Sequence, residues 1–485
     1  MEGSSGREPA AAAAQVSRLS RRDLLRLAAL TGAAATVPLG LAGCKVAPTP
    51  LPLPPDPSLR ARGFVGGSDT DVGPGGWCWF QSPRSAMGPN GVLWLGSSIG
   101  PGTSASGWVQ VTAFDTRTKH VLVKRTVAKG NPDDHSSPAV MPFGDQVQVA
   151  WAMHEPWDFL DVGDTSVGGT FVVHRIHRSG SIVPPARGMS YCSTHVVGGV
   201  RWLLYRGEEW SWNLLTSADG ITWTPHGLVI KPAVSSYRPY LHAASDGKRL
   251  AILVTDGHPT EYRGTSTYAG TIEADLTIRR SDGTTVGSVG SGAPRPGHLT
   301  SVAIGAAGSD EASDTDLWLS DLRIVDHRPT ALLSRRDRWP VRPASVGQYR
   351  HQYLWARLRS TGWVVESLCW AGGELSSTQP DYAGLAAQDP TEPTRVVVAT
   401  NVHPVTGVPL LSTADGRVHF ELFEGRRVGE GQWSFTPVTQ NSTQDNVRPH
   451  IAAAGTAKTL TWMRGRYTTW KDFDTRMVVR SAVPG

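Results

Sequence analysis

From Ala61 to Gly485, about 425 residues, the chain is written in short apolar and β-branched runs cut by Gly, Asp, Asn and Pro. Val92 to Leu95, Gln146 to Trp151, Thr170 to Val173 and Val396 to Ala399 are typical, and no long stretch keeps a helical period. A single sandwich is filled by far fewer residues, so an uninterrupted strand-and-turn pattern of this length calls for a repeated sheet. The expectation is an all-β chain folded as a β-propeller. Similar strand-turn-strand units begin near Trp79, His135, Tyr191, Arg238, Leu317, Tyr382 and Asn446, which makes seven blades. The segment Trp462 to Asp474 is expected to close the ring by pairing with the first blade. Ser217-Ala218-Asp219-Gly220-Ile221-Thr222-Trp223 has the shape of a shortened Asp-box turn.

Ahead of this domain stands a different kind of sequence. Ser20-Arg21-Arg22-Asp23-Leu24-Leu25 precedes a 15-residue apolar stretch, Leu27 to Leu41, and then Leu41-Ala42-Gly43-Cys44. A bilayer span needs about 20 apolar residues, so the stretch reads as a twin-arginine export signal (1–43) with Cys44 as the acylated first residue. An uncleaved N-terminal anchor is the alternative, and both place the domain outside the cytoplasmic membrane. Six prolines in the ten residues Pro48 to Pro57 make 44–60 an extended spacer, leaving 61–485 as the propeller.

Without residues 1–43 the chain holds 42 Lys and Arg against 39 Asp and Glu, which does not suggest nucleic acid as a partner. Membrane contact is expected only through the N-terminal lipid, and a monomer is expected. Cys78, Cys192 and Cys369 allow one bridge at most.

Two tight turns carry the site argument. Gly144-Asp145 and Gly198-Gly199 are two-residue loops whose glycines supply the positive φ of primed hairpin turns, and the turn fixes the register. The first makes Phe143 the partner of Gln146 and, if the ladder continues, His135 the partner of His154. By the same extension the second makes Val197 the partner of Val200 and Tyr191 the partner of Arg206. Opposed side chains sit about 5 Å apart at Cβ. Pro138 and Pro142 suit a strand on an edge beside the central channel, and a bulge in either hairpin would break the arithmetic. A lone His or Tyr at a strand end is ordinarily structural; a His, His, Tyr and Arg group on one face can bind a carboxylate and move a proton.

At these residues the chain resembles a known group. Gly76-Trp77-Cys78-Trp79-Phe80-Gln81-Ser82-Pro83-Arg84, Asp133-Asp134-His135-Ser136-Ser137-Pro138-Ala139, Thr255-Asp256-Gly257-His258-Pro259 and the closing Trp462, Arg464-Gly465-Arg466-Tyr467 and Asp472-Phe473-Asp474-Thr475 look like the BNR-repeat propellers. That group includes ulvan lyases and rhamnosyl-glucuronate lyases. The resemblance implies a seven-bladed propeller with His135 and His154 as active-site histidines, Tyr191 as catalytic tyrosine and Arg206 as the group that neutralises a uronate carboxylate. Cys192 stands where a proline is more usual, and Trp210 and Trp212 occupy a variable loop.

The implied activity is β-elimination on an acidic polysaccharide or oligosaccharide, with Arg206 and His154 neutralising the carboxylate and Tyr191 and His135 flanking C5 and the leaving oxygen. Trp210, Trp212, Arg238, Tyr240 and His258 are the expected substrate-binding residues. That chemistry requires no cofactor; His242, His258 and Cys192 are weighed as part of a structural metal site against ordinary hydrogen-bonded residues. Two other classes stay open: a sialidase-like glycoside hydrolase, whose N-terminal arginine motif is not evident, and a non-catalytic glycan-binding propeller.

Overall fold

The computed structural model describes residues 63–78, 80–154, 159–177, 189–207, 210–234, 237–259, 261–309, 314–338 and 349–483. The twin-arginine pair, Cys44, the proline spacer and Trp79 lie outside the described residues.

Seven antiparallel sheets follow one another along the chain, making a seven-bladed β-propeller. Their innermost strands are Ser85–Met87, Ala139–Phe143, Ser190–Val197, Leu241–Ser245, Asp316–Val325, Ala386–Gln388 and Asn446–Ala454. Each begins within six residues of its expected start. Burial falls from the axis outward: Ser85–Met87 is wholly buried, whereas the outermost strand of the same blade, His120–Lys129, has no buried residue. Seven tryptophans, Trp77, Trp94, Trp151, Trp212, Trp318, Trp355 and Trp462, are among the largest fully buried side chains. Filling the wedge between twisted sheets thus takes seven of the 18 tryptophans.

Six blades have four strands. Blade four has six, because Thr267–Glu273 pairs with Thr277–Arg280 at one end and with Thr300–Ala303 at the other. Ring closure differs from the expectation. Trp462 lies in the second strand of blade seven, and the outermost strand of that blade comes from the N-terminal side, Thr70–Pro74, paired through Thr70 with Val479 and Asp71 with Val478. Asp69 and Asp71 add ion pairs to Arg480 and Arg476 across the same seam. The ring is therefore closed by Arg476 to Val479 on a strand that precedes blade one, not by Trp462 to Asp474 on blade one itself.

In blade three the Ser217–Trp223 turn forms as its residues suggest. Asp219 Oδ1 accepts the Ile221 and Thr222 N–H groups, both at 2.8 Å, and the Trp223 indole donates to the Gly220 carbonyl at 3.2 Å.

Candidate active site

The site lies where the innermost strands of blades two and three begin. In blade two the Gly144 turn, φ 62°, sets the register, which runs unbroken from Phe143 and Gln146 to Ala139 and Ala150. The ladder then stops. Asp134–Ser136 is a single 3-10 turn capped by Asp133, whose carboxylate accepts the His135 N–H at 2.9 Å. His135 and His154 are consequently not ladder partners, yet their rings stack at 4.3 Å with 12° between planes. The exposed edge of Ala139–Phe143 is satisfied by the loop entering blade one, since Val140 N–H donates to the Pro83 carbonyl at 2.9 Å.

Blade three departs from the turn arithmetic. Pairing follows the Gly198-Gly199 turn from Val197 and Val200 to Ser193 and Leu204, then slips, so that Ser190 rather than Tyr191 opposes Arg206. The slip is a bulge at Tyr191-Cys192, with Tyr191 held at φ 57°. An extra residue in one strand re-aims the side chains around it. Here it leaves the Arg206 guanidinium 4.3 Å over the Tyr191 ring, and Tyr191 lies 5.2 Å from His135 and 6.4 Å from His154. All four residues are together.

Arg206 is 2% exposed and stacks against three rings, with Trp210 at 4.7 Å and Tyr240 at 5.2 Å in addition to Tyr191. Its Nη1 is buried with no hydrogen-bond partner among the described residues. A buried guanidinium is ordinarily matched to a carboxylate, and Arg206 forms no ion pair among the described residues.

The binding residues divide. Arg238 reaches the surface, paired with Glu261 at 2.6 Å. Trp210 is 8% exposed and lies under both Arg206 and Arg238, which makes it a support for guanidinium groups. Trp212 corrects the expectation: it is fully buried, donates to the Pro239 carbonyl at 2.9 Å and has Tyr191 stacked on it, so its ring packs the core and is not presented to a sugar. Tyr240 and His258 are also buried, Tyr240 among Phe80, Trp318 and His258, and His258 bonded to the Tyr382 hydroxyl at 2.8 Å.

The expected metal group His242, His258 and Cys192 does not assemble. Cys192 packs with Ala139, Leu160 and Met189, while His242 stacks on Phe80 at 5.2 Å. Among the described residues, ligand atoms come within 4.8 Å of one another in two other groups, Cys78 with Asp134 and His135, and Asp133 with His135 and His154. In the second group both imidazoles are hydrogen-bonded to Asp133, and in the first His135 Nδ1 lies 2.8 Å from Asp134 Oδ1. All three mature-chain cysteines besides Cys44 are free and buried.

Residues that the turns could not reveal complete the site. Asp134 Oδ2 accepts from Arg448 Nη1 at 2.6 Å and from the Tyr467 hydroxyl at 2.9 Å, which binds blade seven to the start of blade two. Trp470 sits edge-on to both histidines at 5.2 Å. Residues Phe80–Ser82 reach the starts of both blades: Gln81 bonds the His135 carbonyl, and Ser82 N–H donates to the Cys192 carbonyl at 3.2 Å. Phe80 from this segment, with Tyr382, Tyr467 and Trp470, lines a water-sized cavity of about 10 Å³ beside His135 and Tyr191. The visible signals were the Asp-Asp-His run, an acid beside a histidine, and the quoted segments that hold Phe80, Gln81 and Tyr467; Arg448, Tyr467 and Trp470 are more than 300 residues from that run in sequence.

Electrostatics separate the four groups. Burial works against charge on His135, but Cys78, Asp133 and Asp134 outweigh it and raise its pKa well above the ordinary value. Burial also holds Cys78 as a neutral thiol, so the carboxylates are the effective cause. For His154 burial and the charge on His135 lower the pKa despite the bond to Asp133. Burial and Tyr240 raise Tyr191 well above the usual phenol range, with Arg206 opposing. At neutral pH the site therefore holds a cationic His135, a neutral His154 and a protonated Tyr191.

No known protein family matches the sequence. No curated protein matches it either. Solved structures do share the architecture. An ulvan lyase of polysaccharide lyase family PL25, solved bound to -[GlcA(1-4)Rha3S]-, superposes with a TM-score of 0.55 at 12% identity, covering 86% of this chain and 94% of that one. The polysaccharide lyase Uly1 superposes with a TM-score of 0.51 at 10% identity over 83% and 90%. At such identities the likeness establishes the fold, and this chain is a seven-bladed propeller of the same architecture as those lyases.

Proposed function

We propose that the protein is a polysaccharide lyase that cleaves a uronic-acid-containing glycan by β-elimination. The observation that carries this reading is Arg206, a buried guanidinium stacked among three rings, unpaired among the described residues and adjacent to a protonated tyrosine and a histidine pair. The C5 proton of a uronate is too weakly acidic to remove while the adjacent carboxylate keeps its full charge. A bidentate guanidinium neutralises it, and one preorganised donor to developing charge is worth about 3 kcal/mol. The ulvan lyase superposition, with its glucuronate-rhamnose ligand, supports an acidic rhamnose-glucuronate polymer as substrate.

The 15-residue apolar stretch after Arg21-Arg22 and the Cys44 site support export by the twin-arginine route and lipid anchoring outside the cytoplasmic membrane.

Product chemistry tests the reading. Incubation with ulvan, gum arabic and other rhamnose-glucuronate polymers should generate a 4,5-unsaturated uronate with new ultraviolet absorbance. Release of reducing sugar without that absorbance would make the protein a hydrolase, and binding with neither product would make it a glycan-binding propeller.

A further inference from the structure

One carboxylate holds both of the stacked histidines. Asp133 Oδ1 lies 2.9 Å from His135 Nδ1, and Asp133 Oδ2 lies 2.9 Å from His154 Nδ1. The tie to His135, the tie to His154 and the cap of the 3-10 turn all converge on this side chain. Its pKa is held low: burial opposes the charge, and the charge and hydrogen bonds of His135 and His154 overcome that opposition. An ionised carboxylate only accepts, so both Nδ1 atoms must carry hydrogen. A neutral imidazole with hydrogen on Nδ1 has a bare Nε2, on the ring edge away from Asp133.

The pair is symmetric about Asp133 but not about Asp134. Asp134 Oδ1 is 2.8 Å from His135 Nδ1, and its other oxygen is fixed by Arg448 and Tyr467, so this second carboxylate cannot swing away. His154 instead feels the positive charge of Arg206. The groups facing the pair are Cys78, Asp133, Asp134, Tyr191, Arg206 and Arg448; Asp133 serves both rings, and Asp134 acts on His135 alone. Two rings stacked at 4.3 Å disfavour a second positive charge.

We propose that Asp133 and Asp134 are positioning residues that divide the stacked pair into a charged donor, His135, and a neutral acceptor, His154, with both Nε2 atoms side by side at the reacting sugar. The assignment rests on the lyase reading and deepens it. His135 joins Arg206 in neutralising the uronate carboxylate. His154 Nε2 takes the C5 proton, the C5–H electrons become the C4–C5 double bond, the C4–O bond breaks, and the Tyr191 hydroxyl supplies the proton to the leaving oxygen. The second positive charge this places on the stacked pair is unfavourable and drives proton transfer from His154 back to the tyrosinate, which restores the starting state. His135 and His154 thereby exchange the parts that the sequence resemblance implied for them.

Ring-¹⁵N-histidine labelling of the full mature chain and long-range ¹H–¹⁵N correlation test this directly, with His135→Gln and His154→Gln giving the assignments. The parent should show His135 doubly protonated and His154 neutral with hydrogen on Nδ1 at pH 7. Asp134→Asn should make His135 neutral while leaving the His154 tautomer alone, and Asp133→Asn should give His154 a mixture of tautomers. On a cleaved polymer Asp133→Asn should lower kcat on the order of 10²-fold with KM within about threefold, as expected for a misplaced acid–base group. Asp133→Glu should recover part of that loss, and its melting temperature shows whether the position tolerates change. A parent spectrum with hydrogen on His154 Nε2, or with both rings neutral, overturns the proposal. So does an Asp133→Asn protein that folds and turns over like the parent. If the spectra agree and no uronate polymer is cleaved, the positioning stands and the lyase reading falls.

Discussion

The starts of blades two and three are built alike and end differently. Each uses a glycine turn at one end of a hairpin and delivers two site residues at the other. In blade two every ladder pair obeys the turn, and the site residues come after the ladder, on a capped 3-10 turn. In blade three the ladder runs to Arg206 but slips within itself at Tyr191-Cys192. Turn chemistry thus fixes which residues come near one another, and the local break decides how they face. A tyrosine at positive φ costs roughly 1 to 3 kcal/mol, a strain carried where the Tyr191 ring meets Arg206 and His135.

The two starts also differ in what holds them. Blade two is braced from blade seven by Asp134, Arg448 and Tyr467, with Asp134 and Arg448 each about 1% exposed. Blade three is held by stacked rings, Tyr191 on Trp212 and Phe80 edge-on to Tyr191. Breaking the first brace should have the largest effect on stability. Arg448→Met leaves Asp134 buried without its counter-ion and should cost about 3 to 5 kcal/mol, read as a fall in melting temperature. A loss below about 1 kcal/mol would mean that the ring contacts and the Thr70–Pro74 seam carry ring closure unaided.

Catalysis sharpens the comparison next. Tyr191→Phe removes one hydroxyl from blade three and leaves the stacking intact, so stability should hold while kcat on a cleaved uronate polymer falls by about 10²-fold or more. Arg206→Lys keeps the charge and loses the two-pronged grip, so both KM and kcat should worsen. Equal turnover by the Tyr191→Phe protein would leave blade two as the sole source of acid and base.

The fold was legible because strand length, turn residues and total length are local or additive, and the starts at His135, Tyr191 and Asn446 could be read from them. The closeness of His135 to His154 and of Tyr191 to Arg206 was legible for the same reason. The bulge was not, since nothing in Tyr191-Cys192 announces a positive φ. Trp212 misled because its position in a loop-flanking sequence says nothing about which side of the sheet it faces. Arg448, Tyr467 and Trp470 reach the site only through ring closure, a contact between opposite ends of the chain that no hairpin register encodes.

Histidines in the two blades should give opposite pH responses. His135, at the start of blade two, has its folded pKa raised, so its contribution is present in full below the unfolded value near 6.5 and is lost as pH rises through the folded value. His195, within the innermost strand of blade three and bonded to Ser193 Oγ at 2.8 Å, is lowered by burial to about 3. Its contribution is present above about 6.5 and declines as pH falls from there toward 3, because the unfolded chain takes up the proton first. Chemical denaturation across pH should show a flatter acid limb in His195→Gln, by about one proton, and a flatter alkaline limb in His135→Gln. Matching slopes in both variants would erase the electrostatic difference between the blades.

The smallest effect comes from the turns themselves, where the two blades should agree. Gly144 and Gly198 sit at φ 62° and 60°, and an added Cβ would meet nothing within 4 Å at either, so replacement by alanine meets backbone strain alone. Each alanine should cost about 1 kcal/mol, with no change in which residues pair. Because blade two keeps its register to Ala139 and blade three already tolerates a slip at Tyr191, a turn that shifted under this strain would be felt unequally. In blade two a one-residue slip would turn Val140 and its neighbours to the opposite face, whereas in blade three the bulge could absorb part of it. Similar losses for Gly144→Ala and Gly198→Ala, with the His135–His154 and Tyr191–Arg206 contacts intact in crystal structures, would show that register is fixed by burial along the strands. A larger loss for Gly144→Ala, with the histidines unstacked, would show that the turn itself sets the site in blade two.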